Sequence, residues 1–380
     1  MKRILLLLMA AGLWHTALAA GSTDKEQTAA VSITIKNPSA IARSAEIVEI
    51  PYAKLQGLAG TFKIINKKTG KELPYQLTYE GTPQPQLLLV QVSIPANSSI
   101  VIAAVPGTPS NVKPRTYARF VPERKDDFAW ENDRIAFRMY GAALENFPAE
   151  NAHGIDVWVK RTPELIVNKW YKTNDYHHDN GDGLDYYSVG LTLGAGDIAP
   201  YFNDSIYFPR HYRTWKVLDS GPLRCTFQLG YEPWQAGRNT VSVIKTISLD
   251  AGSQLNKMSV QYKLSAGDIL PVATGIVRRM QQGTMLLDEK NGVVGYWEPE
   301  HGQDGITGLG MIVPAKKQRM LLTGQHLLAT TTINVQEPFV YYFGAAWNKA
   351  GMYTNAAGWF TYLQTFADKL NAPLEIDINQ

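Results

Sequence analysis

Cysteine is nearly missing from this chain: Cys225 stands alone among 380 residues, so no disulfide can form within it. A fold of this length without cross-links must rest on buried apolar surface, which a chain of several hundred residues can supply. Cys225 falls in the alternating stretch "LRCTFQLGY" and reads as a small core residue, not a nucleophile. Charge is sparse and balanced as well. Charged residues make up 19% and the formal net charge is +3, with no block of lysine or arginine, so nucleic acid finds no electrostatic footprint. There is no Gly-rich phosphate loop, dinucleotide fingerprint, nucleophile elbow, H-E-x-x-H motif or EF-hand loop. After residue 20 no apolar run is long enough to cross a bilayer. Helical periodicity is also scarce. It is convincing only in "GWFTYLQTFADKL", where Trp359, Leu363, Phe366 and Leu370 share one face.

What is present is mostly β pattern. "VSITIKN", "AEIVEIPY", "GTFKIIN", "ELPYQLTYE" and "LLLVQVSIP" alternate with period two and are separated by Pro, Gly and Asn turns. They predict a small immunoglobulin-like sandwich over 21–110. "VPGTPSNVKPR" (105–115) reads as a linker. From 116 to 380 longer strands such as "DRIAFRMYG", "NTVSVIKTISL" and "EPFVYYFGAAW" predict a large antiparallel supersandwich with one C-terminal helix. The fold class expected is therefore all-β. Residues 1–20 carry a basic start, an apolar run and a small-x-small end. They read as a secretory signal peptide, which predicts export to the periplasm. Nine tryptophans and nineteen tyrosines supply flat rings of the kind that stack on sugar faces.

Two stretches concentrate chemistry. "DYHHDNGDGLDYYSVG" (175–190) gathers His177, His178, Asp185 and Tyr187, and "GYWEPEHGQDG" (295–305) offers Trp297, Glu298, Glu300 and His301. The first is too polar for core and too glycine-rich for helix. It reads as a site, a metal loop or a solvated turn. Tyr186 and Tyr187 point to opposite faces of a strand, so at least one must pack. Calcium would find oxygen ligands in Asp179, Asn180, Asp182 and Asp185, and His153, His177 and His301 could converge on a metal across strands, so a divalent metal stays open. The second stretch is a hairpin tip or a sugar-binding loop that faces the first. Glu298 suits the plain hairpin reading better than Glu300 and His301 do.

"WENDRIAFRMYG" (130–141), "GIDVWVKRT" (154–162), "NKWYK" (168–172), the 175–196 segment and "VLDSGPLRCTFQLGYEPW" (217–234) resemble the Bacteroidota domain-of-unknown-function family 4861, as does the opening "IKNPSAIARSAEIVEIP". Tyr176-His177 and Gly183–Tyr187 match its pattern; His178 departs from it. The resemblance implies exported proteins that sit beside polysaccharide-degrading enzymes. It implies a large domain like the galactose-mutarotase-type supersandwich of polysaccharide lyases, and an oligosaccharide partner. It also points to removal of water, or of a glycosidic neighbour, from a uronic acid.

Such a β-elimination needs a base for the proton next to the carboxylate, an acid at the departing oxygen, and a cation at the carboxylate. Histidine, tyrosine and arginine suit these roles. The expected acid–base pair is His177 and Tyr187, with His301 as a further candidate. Arg210 in "YFPRHYRTW" is expected as the carboxylate clamp. Arg213, Arg134, Lys169, Trp297, Glu300, His178 and Asp185 complete the expected substrate-binding set. Three rivals remain: a glycoside hydrolase using Glu300, a non-catalytic glycan-binding protein, and an epimerase or mutarotase.

Overall fold

The computed structural model describes residues 31–55, 60–314 and 318–379. The expected signal peptide lies outside them. Among the described residues no helix is long and apolar enough to cross a membrane. The described residues form antiparallel sheets with two α-helices, an all-β architecture.

The first unit follows from strict alternation. In Val31–Asn37 the residues Val31, Ile33 and Ile35 are buried while their neighbours face outward. They pack with Ile102, Val48, Ile50, Leu88 and Val90 between a five-stranded and a three-stranded sheet. One strand of this sandwich comes from the far end of the chain. Glu375–Asn379 pairs antiparallel with Val31–Asn37, Ile33 opposite Ile378. The 116–380 segment therefore does not fold as one separate unit, because its last strand belongs to the first sandwich.

The large unit has three sheets around one core. A five-stranded sheet runs from Thr116–Val121 to Gly183–Leu184. A second five-stranded sheet centres on Ile269–Val277, and an eight-stranded sheet runs from Thr214–Ser220 to Thr284–Asp288. Phe128, Trp130, Phe137, Phe227 and Phe343 interlock at its centre, with Phe128 and Phe227 stacked at 4.3 Å. The expected C-terminal helix is present as α2, Ala356–Asn371, capped by the Asn355 side chain accepting from Gly358 N–H. Its buried Trp359 and Leu363 lie over Gly295, Gly308 and Gly310, where side chains would collide with them. A second helix, α1 (Val167–Thr173), arises from "NKWYK" and lays Trp170 and Tyr171 on Trp158.

Candidate functional site

The two chemistry-rich stretches meet. Strand Val293–Trp297 ends in a hairpin whose tip is closed by Glu298 N–H to Thr307 O, His301 N–H to Gly305 O and Asp304 N–H to His301 O. Gly305 has φ +95°, and a Cβ there would lie 2.4 Å from Asn348 Oδ1, so the tip requires glycine. The 175–190 segment is anchored by Leu184 beside Val159. From there Tyr186 stacks on His301 at 5.3 Å and its hydroxyl lies 2.6 Å from Thr307 Oγ1. The expectation that these loops face each other is realised by this pair.

At the junction sit an acid and a dyad. Glu298 is only 6% exposed, and Arg279 Nε donates to its Oε1 at 2.6 Å. Burial outweighs the arginine and pushes the Glu298 carboxyl up to about 7, so it exchanges a proton near neutral pH. Arg279 is fixed from the other side by the Ser188 carbonyl at 2.6 Å. His301 is exposed, and its Nδ1 lies 2.9 Å from Asp304 Oδ2, leaving Nε2 toward solvent. Arg161 lies over the Trp347 ring at 4.9 Å, and Trp347 Nε1–H donates to Asp304 O. Lys349 donates to the Gln303 carbonyl. Arg161 is paired with Asp179, so Lys349 is the cation at the hairpin without a carboxylate partner among the described residues, and the hairpin carries an acid and a histidine.

Behind the 175–190 segment lies a buried ionic cluster. Arg138 reaches Asp156 at 2.6 Å, Asp185 at 3.0 Å and Asp127 at 3.5 Å. One guanidinium cannot balance three carboxylates out of water, so burial holds the pKa of Asp156 and Asp185 above the usual range and brings Asp127 to about 6. His177 caps this cluster from the surface: its Nδ1 meets Asp185 O at 2.9 Å while its side chain remains 63% exposed.

Several expected roles change with these positions. Tyr187 is not at the surface as an acid. It is packed in the core beneath Arg279, 4.7 Å above its ring, with its hydroxyl buried and without a partner among the described residues. Tyr186, not Tyr187, faces the His301 hairpin. Trp297 offers no stacking surface, since it is buried against α2 with Trp359. Asp185 spends its carboxylate on Arg138 and touches His177 chiefly through its carbonyl. Arg134, expected in the substrate-binding set, is exposed in the turn after Asp127–Asn132. His178 pairs with Asp175 at 2.8 Å, and Lys169 with Asp182, both exposed. Glu300 is exposed and makes no hydrogen bond among the described residues.

Arg210 and Arg213 share Glu145 and gather with His153 and His211 elsewhere, not with His177 and Tyr187. No group of three or more His, Cys, Asp or Glu arranged to hold a metal occurs among the described residues; His153, His177 and His301 do not converge. Three residues were passed over in the sequence or set aside: Arg279, Arg138 and Glu298. The available signal is a charge inside an apolar strand for Arg138 and a charge just beyond a strand end for Arg279 and Glu298.

A family profile described as "Domain of unknown function (DUF4861)" matches residues 35–376. The chain belongs to the DUF4861 family. A relative called uncharacterized protein P7, from Formosa agariphila, is 32% identical over 377 residues, covering 91% of this chain and 93% of that protein. Among solved structures, an α-mannosidase from Enterococcus faecalis V583 aligns with TM-score 0.49 at 10% identity, over 92% of this chain and 46% of that one. A protein in the glycosyl hydrolase family 38 from Enterococcus faecalis aligns with TM-score 0.50 at 10% identity, over 92% of this chain and 47% of that one. This DUF4861 chain spans about half the length of either structure, and the second likeness is one of fold alone.

Proposed function

We propose that the protein is an exported enzyme that performs β-elimination on uronic-acid-containing oligosaccharides, with its acid–base centre on the 298–305 hairpin. The observation that carries this reading is the pairing of Glu298, whose proton is held to about pH 7, with the Asp304-oriented imidazole of His301. His301 Nε2 takes the proton from the carbon beside the carboxylate. Electrons of that C–H bond form the new double bond, the C–O bond to the neighbouring carbon breaks, and Glu298 gives its proton to the departing oxygen. Tyr186 serves as the stacking platform. Lys349 supplies positive potential for an acidic sugar, and Arg279 holds the Glu298 carboxyl in place.

The reading is tested by incubating the protein with uronic-acid oligosaccharides and following ultraviolet absorbance of the conjugated product together with its mass. Absorbance that appears in wild type and vanishes in His301→Ala is the expected result. Saturated products of hydrolysis, with no absorbance, overturn it.

A second reading is favoured by the same carboxyl. Glu298 also suits the proton donor of a glycoside hydrolase, with Glu300 or Asp304 as the second carboxylate. The product assay separates the two.

A further inference from the structure

The other end of the 186–190 segment leads to a second polar pocket. Tyr186 touches the His301 hairpin, Ser188 O binds Arg279, and Gly190 O accepts from the backbone N–H of His153 at 2.9 Å. Four residue steps span at most ~14 Å, so the two ends of the segment lie within reach of one oligosaccharide. At the far end His153 is sandwiched between Phe208 at 5.0 Å and His211 at 5.4 Å. His211 is committed to Asn151, 2.7 Å from its Nε2, whereas the imidazole nitrogens of His153 have no hydrogen bond among the described residues. Arg210 stands at the mouth, largely exposed, with Glu145 as its one partner among the described residues. In the lining, Tyr231 is 9% exposed and its buried hydroxyl has no partner among the described residues. Asp197 also lines the pocket, but Lys245 neutralises it at 2.5 Å. The enclosed volume is about 20 Å³, room for one oxygen-sized group and not for a ring.

We propose that this pocket is a second subsite of the same groove and takes one carboxylate oxygen of an acidic saccharide lying across its mouth. The lining offers donors to such an oxygen: the Tyr231 hydroxyl, an N–H of His153 and the guanidinium of Arg210. An acceptor-only group satisfies all three, and a buried unpaired phenol gains the partner it lacks. The inference rests on the proposed reading of the groove as a saccharide site and narrows it. The substrate carries acidic sugars in succession, with one carboxylate at His153 and another at the His301 hairpin.

The test uses calorimetric titration of the full-length protein with galacturonate, glucuronate and mannuronate trisaccharides and with their carboxyl-reduced counterparts. In parallel, the ultraviolet assay is run on the acidic set. The wild type is expected to bind an acidic trisaccharide at least tenfold more tightly than its reduced form. His153→Ala and Tyr231→Phe each weaken acidic binding about tenfold and leave the reduced form unchanged. Tyr231→Phe melts no lower than wild type, since it deletes only an orphaned hydroxyl, so its weaker binding is not a folding defect. Equal affinity for acidic and reduced sugars, unchanged affinity in both variants, or no binding of any trisaccharide overturns the subsite. Binding through His153 without unsaturated product keeps the subsite and overturns the elimination. Product formed by both variants with wild-type affinity does the reverse.

Discussion

Nδ1 of His301 lies 2.9 Å from Oδ2 of Asp304, and one hairpin tip holds both residues. The carboxylate fixes the ring and leaves Nε2 as the free base, stacked beside Tyr186. His301→Ala is therefore expected to lower the rate of unsaturated product by ~10²–10⁴. Asp304→Asn, which keeps the contact but loses the charge, lowers it by roughly 10–100-fold. Both side chains are outside the core, so circular dichroism and melting should not move. A His301→Ala rate within threefold of wild type removes the imidazole from the chemistry.

Glu298 makes the protein's stability depend on pH in a stated direction. Its carboxyl titrates near 7 when folded and near 4.5 when unfolded, because burial disfavours the anion. The folded state therefore keeps the proton longer, and stability falls as pH rises from 4.5 to 7, by ~3 kcal/mol at the limit. Glu298→Gln abolishes this slope. Comparing urea midpoints of the two proteins across that window isolates the residue, since all other groups contribute alike. The rate in wild type should also decline above about pH 7 as the acid is lost. Equal slopes in both proteins would show that Glu298 is ionised throughout.

The alternation in "VSITIKN" or "NTVSVIKTISL" was enough to assign strands and inward faces, because period two maps directly onto a buried sheet face. The site was less legible for physical reasons. At the end of Val293–Trp297, Trp297 was read as surface and Glu298 as a polar tip. Both are buried, Trp297 because α2, some sixty residues later, covers it, and Glu298 because Arg279 comes from another strand end. Neither partner is local in sequence. Arg138 in "AFRM" and Asp156 in "GIDVW" lie on a strand face that α1 and the 175–190 segment close over, and neither cover is visible in the strand's own alternation. Of the two adjacent tyrosines, alternation required one to pack but gave no means of choosing which.

The Arg138 cluster predicts an asymmetry between its members. Arg138→Met leaves three carboxylates buried without a cation and should cost ~3–5 kcal/mol in urea unfolding. Asp185→Asn instead relieves an excess of negative charge while keeping an acceptor for the guanidinium. Its cost should be ~1 kcal/mol or less. If Asp185→Asn destabilises as much as Arg138→Met, all three aspartates are ionised and the charge excess is balanced by something other than a retained proton.

Tyr187 tests whether the sequence motif or the geometry identifies the proton donor. Its hydroxyl is buried with no partner, a state that costs ~1–3 kcal/mol against a paired group, while its ring lies beneath Arg279. Tyr187→Phe retains the ring and deletes the orphan, so it should melt at the same or a higher temperature, with a rate within about twofold of wild type. Tyr187→Leu loses the cation–π contact, worth ~0.5–2 kcal/mol, and lets Arg279 shift from Glu298. It should therefore lower both the melting temperature and the rate. The order of the two variants is what decides: a structural ring makes Leu the worse replacement for activity. A proton donor would make Phe as damaging as Leu, and would require the segment to open and present Tyr187 to the sugar.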